Sequence, residues 1–203
     1  MDKISPLAPK SGFPKLNLIE GVRFSSVCAG VKYNNRPDVM LAEICKDSAI
    51  AGVFTKSATR SAAVIDCQNK LSSVRLSSGP FAIVVNSGNS NAFTGKQGFN
   101  AVSKICSKFS KELKTLETNV FTASTGVIGE PLDWEKIVAV SGELVDGLLP
   151  GGLDGAANAI MTTDTFPKGS SREVSINNKT IKISGIAKGS GMIAPDMATM
   201  LVF

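Results

Sequence analysis

Histidine is absent from this 203-residue sequence, and its absence excludes more chemistry than any other feature of the composition. Without an imidazole, the chain cannot by itself form a Ser-His-Asp or Cys-His catalytic site. Metal sites built on histidine are excluded for the same reason. Any nucleophile in this chain therefore needs a different base.

Other motifs are missing as well. The cysteines do not form a C-x-x-C pair, so zinc-binding and thioredoxin-type chemistry have no support; they are Cys28, Cys45, Cys67 and Cys106. We expect reduced, partly buried thiols, and no metal or cofactor. No apolar run reaches the roughly 18 residues of a membrane span. The N-terminus has neither a signal-peptide nor a transit-peptide pattern, so we expect a cytoplasmic protein with no membrane contact.

The net charge of +5 raises the question of nucleic-acid binding. The densest lysines recur at helical spacing, which is typical of a solvated helix face; they are Lys104, Lys108, Lys111 and Lys114. Aromatic residues make up only 6% and are not interleaved with the basic ones. Stacking on bases is therefore unsupported, and we expect no nucleic-acid partner.

Hydrophobic periodicity predicts strands and helices in mixed order. Strands are expected over 22–33, 39–44, 51–55, 62–66, 81–85 and 120–123, with a hairpin turning at Asn177-Asn178. Ala101, Ile105, Phe109 and Leu113 mark one face of a helix, and further helices are expected over 133–147 and 155–161. No linker interrupts the chain, so we predict a single domain over 1–203. The mixture favours an α+β layered sandwich.

Two polar segments follow predicted strands. The first, NSGNSNAFTG at 86–95, is rich in residues that tolerate positive φ, and the sequence favours an ordinary turn over a functional loop. The second is Ser124-Thr125-Gly126. A strand ending in this way can present a hydroxyl and backbone N–H groups to a developing oxyanion, although many strand ends share the pattern.

The last stretch of the chain is more distinctive. Lys188 lies among glycine and alanine residues, which let a ligand approach closely. Thr199 begins a new apolar strand within MATMLVF. From spacing alone, a simple β-forming role for Thr199 is favoured.

Four motifs in this order resemble the ornithine acetyltransferases, also called glutamate N-acetyltransferases. They are NSGNSNAFTG (86–95), STGVIGEPL (124–132), AIMTTDTFPK (159–168) and AKGSGMIAPDMATML (187–201). The opening segments GVRFSSVCAGVKYNNRPDVML and AGVFTKSATRSAAV are also similar to that family's N-terminus. The resemblance covers nearly the whole chain.

The resemblance implies a four-layer sandwich similar to the N-terminal-nucleophile hydrolases, and a precursor that cleaves itself. The bond would be Ala198–Thr199, so that 1–198 forms the α chain and 199–203 begins the β chain. The family moves an acetyl group from N-acetylornithine to glutamate in arginine biosynthesis, and some members accept acetyl-CoA. The α-amine of a new N-terminal threonine titrates at about 7.7–8.0, so it can replace histidine as the base.

The resemblance also assigns site residues. Thr199 matches the nucleophile, and Thr125 with Gly126 matches the oxyanion hole. Thr162, Lys188 and Thr199 match substrate-binding positions. The family's remaining substrate contacts, an acidic one and an Asn/Thr pair, belong to a β chain that would complete a heterodimer and then a heterotetramer.

The sequence stops just inside the family's β piece, so we expect the rest either in a longer gene product or in a separately encoded chain. Two alternatives remain open. One is a self-processing aminopeptidase or amidase of related fold, and the other is an inactive truncated fragment.

Overall fold

The described structure, a computed structural model, comprises residues 4–73, 80–190 and 200–203. Its strands are β1 (Val22–Val27), β2 (Val39–Ile44), β3 (Phe81–Asn89), β4 (Val120–Val127), β5 (Lys168–Ile176), β6 (Lys179–Lys188) and β7 (Leu201–Val202). Its helices are α1 (Ala62–Ser73), α2 (Gly95–Glu112), α3 (Trp134–Ala139), α4 (Ser141–Asp146) and α5 (Leu153–Ala159), with a 3-10 turn at Glu117–Asn119.

The first sheet has the order β1-β2-β3-β4. β1 and β2 pair antiparallel, as do β2 and β3, while β3 and β4 are parallel. A parallel pair needs a crossover, and α2 supplies it between β3 and β4. The C-terminal ends of β3 and β4 therefore lie at the same edge of the sheet.

Helices α1 to α4 cover one face of the first sheet. Alternate strand residues such as Leu41 and Val84 point towards them and join a buried cluster. From α2 this cluster takes the apolar face that the sequence predicted, including Ala101, Ile105 and Phe109. The lysines of α2 lie on its other side, as expected for a solvated face. Among the described residues, no helix combines the length and apolarity needed to cross a membrane.

The opposite face of the first sheet packs on α5 and on the inner end of β6. Met40 and Val85 meet Ala156, Ile160 and Ile186 in a second buried cluster. The order of layers is therefore helices, first sheet, and then α5 with the second sheet. This layered α/β arrangement confirms the predicted fold class.

The second sheet contains β5, β6 and β7 in that order. Asn177 and Asn178 connect β5 to β6 with φ values of 51° and 60°. Two residues at positive φ give a hairpin turn whose twist matches that of the strands, and asparagine tolerates this conformation well. The predicted hairpin is confirmed.

Three element predictions were wrong. Residues 51–55 form no strand, and residues 62–66 belong to helix α1 instead. In α1 the buried residues Ala63 and Cys67 are four apart, the spacing of a helix packed on the sheet. The predicted helix over 133–147 is split at Val140 into α3 and α4. Short apolar runs fit either a strand or a helix, so tertiary packing decides which secondary structure they adopt.

The strand predicted over 22–33 ends early, at Val27. The buried Asp38 carboxylate accepts hydrogen bonds from the backbone N–H groups of Ala29 and Lys32, at 2.8 and 3.1 Å. The chain therefore turns around Asp38 in place of continuing β1.

The thiols are free, as predicted. Cys28 and Cys45 are exposed, whereas Cys67 of α1 and Cys106 of α2 are buried. Burial raises the pKa of Cys106 to about 11, and the Lys70 ammonium at 3.1 Å only partly offsets that increase. The buried pair therefore stays protonated and inert at neutral pH.

Candidate active site

The parallel strands β3 and β4 bring two polar segments together at one edge of the first sheet. The register places Ser87 beside Thr125 and Gly88 beside Gly126. In open sheets with parallel strands, ligands bind outside the carboxyl ends of the strands. A binding site is therefore expected at this edge of the first sheet.

The polar segment that follows the apolar part of β3 is a buried network, and its interpretation as an ordinary turn was wrong. Ser124 Oγ donates to Asn86 Oδ1 at 2.7 Å, and Asn86 Nδ2 donates to the Asn89 carbonyl at 2.8 Å. Asn89 Oδ1 accepts from the Asn91 backbone N–H at 2.8 Å. Buried amides with satisfied hydrogen bonds hold one geometry, so the ends of both strands are rigid.

Gly126 cannot be replaced without moving the backbone of β3. Its φ is +134°, and a Cβ there would lie 2.2 Å from the Gly88 carbonyl carbon and 2.5 Å from Asn89 N. Gly88 also has positive φ, +96°, and a Cβ at that position would meet Lys32 Cβ at 2.2 Å. The close approach of β4 to β3 therefore depends on the missing Cβ of Gly126, whereas the missing Cβ of Gly88 makes room for Lys32.

Thr125 and Lys188 form a buried pair beside this backbone contact. Their exposures are 1% and 7%, and Lys188 Nζ donates to Thr125 Oγ1 at 3.4 Å. Burial lowers the pKa of Lys188; the Asp164 carboxylate acts in the opposite direction and Lys168 adds to the lowering. Because the threonine oxygen accepts from the ammonium, the threonine hydrogen is free to point at a ligand.

Asp164 connects the segment after α5 to the end of β6. Its carboxylate accepts from Gly189 N at 2.7 Å, from Thr162 N at 3.2 Å and from Lys168 Nζ at 2.6 Å. Burial by itself raises the pKa of Asp164, but these hydrogen bonds outweigh burial and hold the pKa below its ordinary value. Asp164 is therefore a charged junction between Thr162 and the residue that follows Lys188.

Arg36 holds the other side of the Thr162 segment. Its guanidinium donates to the Met161 carbonyl at 2.7 Å and to the Asn158 carbonyl at 3.2 Å, at the C-terminal end of α5. The same guanidinium lies 3.6 Å from the centre of the Tyr33 ring. A cation at a helix C-terminus satisfies carbonyls that lack intrahelical partners.

The structure brings together the described residues that the resemblance assigned. Thr125, Gly126 and Lys188 are in direct or adjacent contact, and Thr162 is linked to Lys188 through Asp164. Ala198 and Thr199 lie outside the described residues, so the cleavage site and the nucleophile stay predictions. The catalytic roles of the others also stay predictions.

Sequence reasoning missed two residues of this site. Asp164 stands inside the quoted motif AIMTTDTFPK, and its position directly after two threonines was the available signal. Arg36 precedes a proline in an irregular loop, and nothing in the pattern of apolar residues marks it.

The site suits a small anionic group. A buried ammonium next to a neutral hydroxyl favours a bound carboxylate or a developing oxyanion, because an unpaired buried charge is costly. Hydrogen-bond donors fixed in place before the reaction stabilise such an oxyanion without reorganisation. Among the described residues, no group of three or more His, Cys, Asp or Glu side chains is placed to hold a metal ion.

Fold and site together define a layered α/β protein with a buried hydroxyl–ammonium pair at the ends of parallel strands. The ArgJ family model matches residues 23–203. The chain therefore belongs to the ArgJ family.

Relatives with curated names extend the match along almost the whole chain. The Arginine biosynthesis bifunctional protein ArgJ of Ruegeria pomeroyi is 57% identical over 201 residues, which are 99% of this chain and 48% of the relative. The protein of the same name from Bradyrhizobium diazoefficiens is 50% identical over 200 residues, 98% of this chain and 47% of the relative. The chain spans about half the length of the curated relatives it matches, and that half is their N-terminal one.

Solved structures agree with the fold. The ornithine acetyltransferase of Mycobacterium tuberculosis, solved with ornithine, has a TM-score of 0.76 and 34% identity, with 88% of this chain and 93% of that chain covered. The arginine biosynthesis bifunctional protein ArgJ of Bacillus halodurans has a TM-score of 0.76 and 31% identity, with 88% and 92% covered. The resemblance to the ornithine acetyltransferase family is thereby confirmed.

Proposed function

We propose that this chain forms the first half of an ornithine acetyltransferase, which moves an acetyl group from N-acetylornithine to glutamate. The observation that carries the proposal is the contact of Lys188 Nζ with Thr125 Oγ1, buried beside Gly126 in a member of the ArgJ family. The names of the relatives, and the ornithine bound in the Mycobacterium tuberculosis structure, fit this reaction.

The reaction proceeds through an ester on Thr199. The Thr199 Oγ attacks the acetyl carbonyl carbon of N-acetylornithine, and the α-amine of the same residue takes the hydroxyl proton. The bond to the ornithine nitrogen then breaks, and that nitrogen leaves as an amine carrying the returned proton. Glutamate's amine attacks the ester, receives the acetyl group and restores the Thr199 hydroxyl.

The described residues would act on the charge that develops in each step. The Thr125 hydroxyl and the backbone at Gly126 face the carbonyl oxygen as it becomes negative, where one such donor is worth about 10²–10³ in rate. Lys188, with Thr162, holds a carboxylate of the substrate. No metal or cofactor is needed, because the α-amine serves as base and the hydrogen-bond donors stabilise the oxyanion. Acetyl-CoA would be a second donor substrate.

The two halves would arise by self-cleavage between Ala198 and Thr199. In support, this chain covers 93% of the solved Mycobacterium tuberculosis chain but only 48% of the complete Ruegeria pomeroyi relative. A solved chain of that extent is itself about half of the family's polypeptide. We propose that the α and β chains stay together as a heterodimer that assembles into a heterotetramer in the cytoplasm.

The test joins residues 1–203 to the second half of the Ruegeria pomeroyi relative, whose first half is 57% identical to this chain. We expect this chimera to appear as two pieces on a denaturing gel and to transfer acetyl from N-acetylornithine to glutamate. Thr199→Ala should leave one uncut chain without activity, while Thr199→Ser should keep the nucleophilic hydroxyl and the cleavage. Two pieces from the Thr199→Ala chimera would remove Thr199 from the mechanism.

Two further measurements distinguish the transferase from the two alternatives, a hydrolase and an inactive fragment. Acetate released at the same rate with and without glutamate would identify a hydrolase in place of a transferase. Residues 1–203 alone should stay uncut and inactive, because the acidic substrate contact and the elements that would flank the first sheet at its β4 side are expected in the second half. Measurable turnover by residues 1–203 alone would contradict the proposal that the active site needs the second half.

A further inference from the structure

Two substrate-binding positions of the proposed enzyme lie on separate elements. Thr162 follows α5, whereas Lys188 ends β6. Their side chains can bind one substrate only if the distance between the two backbones is fixed, since a misplacement of about 1 Å costs on the order of 10²-fold in rate.

The Asp164 carboxylate spans this gap. One oxygen accepts from the Gly189 backbone N–H at 2.7 Å, and the other accepts from the Thr162 backbone N–H at 3.2 Å. The Asp164 side chain is 0% exposed, so water does not compete for these hydrogen bonds. Lys168 Nζ donates a further hydrogen bond, at 2.6 Å, to the same oxygen that accepts from Gly189.

A second link between the same segments lies at the surface. Thr163 Oγ1 and Ser190 Oγ are 2.7 Å apart, and both residues are exposed. Exposed hydroxyls can exchange this bond for water at little cost. Of these two polar links, the buried carboxylate is therefore the stronger, and the hydroxyl pair offers a matched control.

We infer that Asp164 is a positioning residue: its carboxylate fastens the backbone of Thr162 to the backbone after Lys188 and so sets the two substrate-binding side chains relative to each other. This inference rests on the proposed function. The buried Asp164 carboxylate is hydrogen-bonded to Thr162 N, Gly189 N and Lys168 Nζ, so it would act through Thr162 and Gly189 and not through contact with the substrate.

The negative charge of Asp164 should also affect the pH profile of activity, which a purely structural residue would not do. Besides burial, the groups that act on the Lys188 ammonium are Asp164, which raises its pKa, and Lys168, which lowers it. Lys188 must be protonated to hold a carboxylate, so activity is lost as pH rises through the Lys188 pKa. Removing the Asp164 charge should move this alkaline limb to lower pH, and removing the Lys168 charge should move it to higher pH.

The experiment uses the chimera with both halves and follows kcat/KM for N-acetylornithine against pH. Asp164→Asn should lower kcat/KM by about 10²-fold, mostly through KM, and move the alkaline limb to lower pH. Lys168→Gln should move the limb to higher pH. Thr163→Ala, which removes only the surface link, should stay within about threefold of the parent with an unmoved limb.

Hydrogen–deuterium exchange gives a readout without turnover. Peptides over 160–166 and 186–190 should exchange faster in Asp164→Asn than in Thr163→Ala. If exchange accelerates but the parent chimera transfers no acetyl, the proposed function fails and the positioning role stands. If the parent is active, an Asp164→Asn variant with unchanged exchange and an unmoved limb overturns the inference. Should Asp164→Asn not fold, Asp164→Glu keeps the charge but displaces the carboxylate, and unchanged exchange with an unchanged KM in that variant overturns the inference equally.

Discussion

The two sheets of this protein use apolar residues in opposite ways. In the first sheet, the central strand β3 is buried on both faces, between helices α1 to α4 on one side and α5 on the other. In the second sheet, the distal part of the β5–β6 hairpin leaves four aliphatic side chains exposed on one face; they are Val174, Ile176, Ile181 and Ile183.

A single strand connects these two environments. Along β6 the side chains pass from exposed Ile183 to buried Ile186 and then to buried Lys188. The candidate active site lies where β6 becomes covered by the first sheet. In the proposed enzyme, the rigid first sheet would supply the oxyanion donors, whereas the second sheet places the Lys188 ammonium against Thr125.

Substitution of Gly126 is expected to disrupt this arrangement most. Gly126→Ala adds a Cβ 2.2 Å from the Gly88 carbonyl carbon at a φ of +134°, so the β3–β4 contact must open. Overpacking of about 1–3 kcal/mol and backbone strain of about 1–3 kcal/mol should add, and transfer activity should disappear. Activity and unfolding midpoint of the chimera measure both effects.

Gly129 is the matched control for this substitution. Its φ is also positive, +85°, but a Cβ there would have nothing within 4 Å. Gly129→Ala should therefore cost only the strain of about 1–2 kcal/mol and keep most of the activity. Equal losses for the two variants would show that the close approach at Gly126 is not what matters.

Thr125 tests the function of the same edge with less damage to the fold. Thr125→Ala should lower kcat about 10²–10³-fold, the usual cost of one oxyanion donor, with a much smaller change in KM. Thr122, on the same strand, is buried and its hydroxyl has no hydrogen-bond partner among the described residues. Thr122→Ala should leave kcat unchanged in steady-state assays. An unaltered kcat in a folded Thr125→Ala variant would remove Thr125 from the mechanism.

Two isoleucines of β6 test the contrast between its buried and exposed parts, with the smallest expected effect on activity. Ile186 is 1% exposed and Ile183 is 56% exposed, three residues apart on one strand. Ile186→Ala should lower the free energy of unfolding by about 2–5 kcal/mol, and Ile183→Ala by about 0.5 kcal/mol or less. Denaturant unfolding of the chimera measures both. A large loss for Ile183→Ala would mean that the second half covers the hairpin.

Local pattern was enough for much of the fold. The apolar stripe of α2, the buried run of β3 and the Asn177-Asn178 hairpin were all predicted correctly, because each has a strong period or turn signal. Residues 62–66 were assigned wrongly, since the run of four apolar residues at 62–65 suits a strand or a buried helix equally well.

The residues of the candidate site also differ in how far the sequence could predict them. Local pattern indicated Thr125, Gly126 and Lys188 only weakly, and the motif resemblance assigned their roles and that of Thr162. The polar run that begins within β3 was misjudged, because its burial arises from the β4 pairing and from the loop that carries Lys32.

The sequence by itself determined the family, the layered class of fold, and the exclusion of histidine chemistry, because these follow from residue identity and local order. Only the tertiary structure decided that Lys188 meets Thr125 across 63 positions, and that Asp164 and Arg36 hold the Thr162 segment between them. These contacts depend on how β4, β6 and α5 pack. No periodicity within one element encodes the position of another element.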